Sequence, residues 1–101
     1  MAIANSISQT NDVVITVTDR FDFSKHKAFR ESYRSHNNPG TVFRVNLSRA
    51  AYMDSSALGM LLLIKEHADE IRGKVIIEKP NDTINKVLEI AQFHQLMEIV
   101  S

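Results

Sequence analysis

The chain has 101 residues, enough for one domain at roughly 100–200 residues per domain. Its 44% hydrophobic and 24% charged residues are ordinary for a soluble globular protein and too apolar for a disordered one. Twelve Lys+Arg balance twelve Asp+Glu, so no cationic excess is available for a nucleic-acid backbone. With no cysteine, disulfides, thiolate zinc sites, iron–sulfur clusters and cysteine nucleophiles are excluded. The longest apolar run, Ala57–Ile64, falls far short of the roughly 20 residues of a membrane helix. The first residues carry no basic group and no long apolar core, so no signal peptide is expected. A cytoplasmic protein without membrane insertion is the expectation.

Taken in chain order, Ala2–Ser8 and Val13–Thr18 predict two strands, the second from the alternation of Val13, Ile15 and Val17. Gln9-Thr10-Asn11-Asp12 between them predicts the turn of an antiparallel hairpin. Ser24 is the expected N-cap of a helix over Lys25–Ser35, with Phe29 and Tyr33 one turn apart. Asn37-Asn38-Pro39-Gly40 breaks that helix. Thr41–Leu47 alternates as a third strand, and Ser48–Met53 is expected to be a loop. Asp54 then opens the longest helix, Ser55–Arg72, which Gly73 should close as C-cap.

The β-branched Lys74–Glu78 predicts a strand, and Lys79-Pro80-Asn81-Asp82 a breaker and cap. In Thr83–Ala91, residues Ile84, Val87, Leu88 and Ala91 fall at i, i+3, i+4, i+7, the spacing of one buried face. Leu96–Val100 is expected to be a last short strand. The order ββαβαβαβ predicts an α/β fold, a mixed sheet with helices packed on it through right-handed crossovers.

Motifs for catalysis are missing. Gly40, Gly59 and Gly73 stand too far apart for a phosphate-cradling loop or a dinucleotide fingerprint. His26, His36, His67 and His94 lack metal-ligand spacing, and no nucleophile elbow is present. Asp69 and Glu70 sit beside Lys65 and Arg72 in the pattern of a solvated helix face. No catalytic residue, metal site or cofactor is expected.

One segment carries more than structure: Tyr52-Met53-Asp54-Ser55-Ser56-Ala57-Leu58-Gly59-Met60-Leu61-Leu62. Its plainest meaning is a helix start, with Asp54 capping and Ser55 and Ser56 in the first turn. A helical wheel at about 100° per residue adds to this. With Ser55 at zero, Ala57, Met60, Leu61, Ile64, Ala68 and Ile71 cluster between about 140° and 240°, which defines the core face. Leu58, Leu62 and Leu63 instead fall within about 80° of Ser55, on the polar side. Gly59 lies one turn after Ser55 and leaves the surface flat. An apolar patch beside a serine is a candidate partner surface, unless the first or third helix packs over Leu58 and Leu63.

Leu47-Ser48 followed by Tyr52-Met53-Asp54-Ser55-Ser56-Ala57-Leu58-Gly59 resembles the signature of STAS domains, in particular single-domain anti-sigma factor antagonists. The resemblance covers essentially all of residues 1–101, and the element order is similar too. Together with Arg20-Phe21-Asp22-Phe23-Ser24 at the exit of the second strand, it is most similar to a proteobacterial subgroup tied to response regulators with serine kinase or phosphatase modules. Ala57 stands where the family more often has glycine, and Asp19-Arg20 stands where it usually has a glycine before the first helix.

The resemblance implies a non-enzymatic antagonist that binds an anti-sigma factor and is switched off by phosphorylation of Ser55. The kinase would be the anti-sigma partner, and a cognate serine phosphatase, in some cases within a response regulator, would reverse it. Asp54, Ser55, Ser56, Leu58, Gly59, Leu62 and Leu63 would form the partner surface. A second family role is that of a soluble STAS accessory subunit in a lipid-transport ABC complex. The Ser55-Ser56 pair favours the regulatory role, because a phosphorylation switch needs an acceptor.

Overall fold

A computed structural model describes residues 3–7 and 12–101. Its elements run β1 (Ile3–Ile7), β2 (Val13–Phe21), α1 (His26–Tyr33), β3 (Val42–Met53), α2 (Ser55–Glu70), β4 (Lys74–Glu78), α3 (Asp82–Ile90) and β5 (Glu98–Val100), with single 3₁₀ turns at Phe23–Lys25 and Phe93–Gln95. The expected order ββαβαβαβ is therefore present. The five strands lie in sequence order, β1-β2-β3-β4-β5. β1 is antiparallel to β2, and β2 to β5 are parallel. Most of the hairpin turn, together with Ala2 and Ser8, lies outside the described residues.

A sheet whose parallel strands advance in one direction through right-handed crossovers carries its helices on one face. The burial pattern agrees. Ile15 and Val17 of β2, Phe43, Val45 and Leu47 of β3, and Val75 and Ile77 of β4 join one core with Phe29, Leu61, Ile64, Ile84 and Leu88 of the helices. The alternate residues face the other way. There Arg44 reaches across three strands, to Asp12 at 2.6 Å and Glu78 at 3.0 Å. In β2 and the first half of β3, apolar residues are buried on one face and their neighbours in the chain turn to the other, which fixes the register: a one-residue slip would exchange the two sets.

Each helix follows the C-terminal end of a parallel strand, so all three begin at the same edge of the sheet. Asp22, Asp54 and Asn81 mark these starts. The expected face of α3 holds: Ile84 and Leu88 are fully buried, and Val87 and Ala91 pack against the core.

Four expectations need correction. Ser48–Met53 is not a loop but the second half of β3, which runs to Met53. Ser24 does not cap α1; Asp22 caps the 3₁₀ turn that leads into it, and Ser24 donates to that cap. Gly73 does not supply the left-handed residue after α2. Arg72 does, at φ 60. Gly73 is needed for a different reason, since a Cβ there would lie 2.0 Å from the Thr41 carbonyl oxygen. The helix also stops at Glu70, two residues early.

Candidate functional site

The candidate site forms where β3 turns into α2. Asp54 has extended backbone (φ −114, ψ −177) and its carboxylate accepts from the N–H groups of Ser56 at 3.0 Å and Ala57 at 3.2 Å. Two donors of the first turn are thereby satisfied, the Ala57 N–H also donating to the Asp54 carbonyl at 3.1 Å. The Ser56 hydroxyl also donates to Asp54, at 2.6 Å. Ser55 is left apart from this arrangement. It is exposed, and its hydroxyl has no hydrogen-bond partner among the described residues. Of two adjacent serines, one is tied to the cap and one faces solvent.

Along α2 the wheel holds. Ala57, Leu61, Ile64 and Ala68 are completely buried and Met60 nearly so. Leu62 and Leu63 are exposed at 41% and 45%, and a side chain built on Gly59 would meet nothing within 4 Å. Leu58 departs from the expected patch. It is half-buried and packs against the core. Leu63 lies at the rim of a 350 Å³ groove whose other wall is Arg30, Tyr33 and Arg34 of α1. Ser55, Gly59 and Leu62 remain together on the outer face.

Three residues at or just beyond the paired ends of β2 and β3 were not among the candidate residues: Arg20, Phe23 and Tyr52. Parallel pairing sets Arg20 beside Tyr52 and Phe21 beside Met53. The Arg20 guanidinium lies 4.4 Å from the centre of the Tyr52 ring and pairs with Asp22 at 3.2 Å. The Ser24 hydroxyl and then Arg20 hold the Asp22 carboxyl below its ordinary range. Phe23 projects from the turn with 69% of its surface exposed. The sequence did hold a signal for these residues: Asp-x-Ser occurs twice, each time directly after a strand.

Among the described residues, no group of three or more His, Cys, Asp or Glu could hold a metal ion. No helix of the described residues is long and apolar enough to cross a membrane. A family model described as "Mlab, STAS domain" matches residues 6–100. The chain belongs to the STAS domain family. This STAS domain is 36% identical over 88 residues to a STAS-domain containing protein of Pseudomonas aeruginosa (strain UCBPP-PA14), covering 87% of each chain.

Two solved structures share the STAS domain's fold. One is the anti-sigma factor antagonist SpoIIAA in its unphosphorylated form, at TM-score 0.73 and 21% identity over 99% of this chain and 87% of that one. The other is the Bacillus cell fate determinant SpoIIAA in its phosphorylated form, at TM-score 0.74 and 20% identity over 99% of this chain and 92% of that one.

Proposed function

We propose that this chain is a single STAS domain over residues 1–101 that acts as an anti-sigma factor antagonist. It binds an anti-sigma factor through the outer face of α2, with Asp54, Ser55, Ser56, Leu58, Gly59, Leu62 and Leu63 at the contact. Phosphorylation of Ser55 by that partner, a serine kinase, switches the antagonist off, and a serine phosphatase restores it. The chain is then the kinase's substrate and not itself an enzyme. The observation that carries this reading is the free, exposed hydroxyl of Ser55, in contrast to Ser56 next to it and Ser24 in the matching turn, whose hydroxyls are held by aspartates. The fold shared with SpoIIAA, solved both without and with phosphate, supports it.

The physical switch is charge. Ser55 is small and neutral, whereas its phosphorylated form carries about −1.5 to −2 charges. The N-terminal turn of a 16-residue helix accommodates such a charge on its own side. A partner surface that met a hydroxyl would then meet a solvated dianion, which must be desolvated or excluded.

Phosphopeptide mapping after incubation with the kinase that co-purifies with the chain, plus ATP and Mg²⁺, tests the assignment. Phosphate is expected on Ser55, and Ser55→Ala should abolish labelling. Phosphate on Ser56 or Ser24 with Ser55 unmodified would contradict it. So would co-purification with an ATPase and a permease in place of a kinase, which is the outcome for an accessory subunit of a transporter.

A further inference from the structure

The exits of β2 and β3 repeat one turn. β2 ends Phe21-Asp22-Phe23-Ser24, and β3 ends Met53-Asp54-Ser55-Ser56. Phe21 and Met53 are register partners, and the Asp54 N–H donates to the Phe21 carbonyl at 3.3 Å. Both aspartates have extended backbone. Each carboxylate accepts from the backbone N–H two residues on, at 3.0 Å. Each also accepts from that serine's hydroxyl, at 2.5 Å from Ser24 and 2.6 Å from Ser56. Phe23 thus stands two residues past the end of β2, in the turn position that Ser55 holds two residues past the end of β3.

Folding does not account for Phe23. The other four phenylalanines, Phe21, Phe29, Phe43 and Phe93, are buried. Phe23 is 69% exposed, and among the described residues its ring stacks on His26 alone, with centroids 5.3 Å apart. Two lysines follow Phe23 closely, Lys25 and Lys27, and neither forms a salt bridge among the described residues, whereas Asp22 is engaged by Arg20 and Ser24. The Lys25 ammonium donates to the Arg20 carbonyl at 2.7 Å, a neutral acceptor.

We propose that Phe23 is an aromatic anchor of the partner surface, entering an apolar pocket rimmed by carboxylates that meet Lys25 and Lys27. The occupant is the protein that phosphorylates Ser55, so the inference rests on the function proposed above and adds the chemistry of that partner. Aromatic side chains, Phe among them, are enriched in the buried centre of protein interfaces relative to the rest of the surface. The acidic rim also gives the switch its sign. A phosphate on Ser55, at the matching turn of the paired strand exit, would face the carboxylates that the cations attract.

Photo-crosslinking in the cells that make the protein, with p-benzoyl-phenylalanine at position 23, 62 or 90 of the full chain, tests the assignment. Ile90 is the control: it is 76% exposed but ends α3, away from the edge where the helices begin. Positions 23 and 62 should capture one and the same protein, able to phosphorylate Ser55 with ATP, and position 90 should not. Titration of that purified kinase should then show Phe23→Ala weakening binding about tenfold or more at an unchanged melting temperature. Lys25→Glu with Lys27→Glu should add a loss that shrinks as salt rises.

Capture from position 62 but not 23 would overturn the role of Phe23 while leaving the Ser55 switch standing. Capture from neither would remove the α2 surface and the anchor together. Binding of Phe23→Ala within twofold of the parent, or a lowered melting temperature, would also overturn the anchor.

Discussion

The two sides of α2 are built from the same residue types to opposite ends. Leu61 and Leu62 are adjacent in the chain, yet Leu61 is fully buried and Leu62 is 41% exposed. The inner side continues through Ala57, Ile64 and Ala68, none of which retains accessible surface. The outer side holds Ser55 with a free hydroxyl, Gly59 with open space above it, and Leu62. A leucine facing the core returns roughly 1.5–3 kcal/mol on burial. A leucine facing water returns little to the fold, and what it stabilises must be sought in a complex. Composition is therefore no guide to which side of this helix does what; angular position relative to Asp54 is.

Arginine at each of the two leucines would break this contrast if it is wrong. Leu61→Arg should bury an unpaired charge and cost more than about 4 kcal/mol, enough to unfold a domain of marginal stability. Leu62→Arg should change stability by only about 0.5 kcal/mol while costing roughly 2 kcal/mol or more in affinity for the anti-sigma partner. Thermal melts and a binding titration check the two halves. Unfolding of Leu62→Arg would make the outer side part of the core, and normal binding would remove Leu62 from the contact.

A smaller effect sharpens the comparison. Gly59→Ala meets no neighbouring atom, so it should stabilise the free protein by about 0.5–1 kcal/mol through helix propensity. The added methyl would stand on the surface proposed to meet the partner, so affinity should fall while the melting temperature rises. The two readouts moving in opposite directions is the result to look for.

Much of this was legible in the sequence because the signals were local. The wheel of α2 separated Leu61 from Leu62 because a single helix keeps one phase for 16 residues. Element order was legible because each strand is bounded by a breaker or an acidic cap. The second half of β3 was not, and the reason is geometric. Thr16 pairs with Asn46 but Thr18 with Arg49, and Asp19 pairs with Ala50 but Arg20 with Tyr52. β3 thus gains two residues on β2, and each bulge shifts its inside–outside phase. The buried residues Leu47, Ala50 and Met53 follow a spacing of three, which no alternation rule detects.

The first cap was misplaced for a related reason. Aspartate and serine are both good caps, and nothing local decides that Asp22 accepts while Ser24 donates. Leu58 sits on the polar side of the wheel but near its border, and only the packed structure assigns it to the core. Phe23, Arg20 and Tyr52 escaped because their relation to Ser55 runs through the pairing of β2 with β3. That contact lies more than thirty positions away in the chain.

The central claim is that charge at Ser55 governs the complex, and titration of Ser55→Asp and Ser55→Ala against the purified anti-sigma kinase tests it most directly. Ser55→Ala keeps a small neutral contact and should bind within about twofold of the parent chain. Ser55→Asp imitates part of the phosphate's charge and should bind about tenfold or more weakly, roughly 1.4 kcal/mol, with both variants melting like the parent. Equal affinity of the two variants for the kinase would contradict the account.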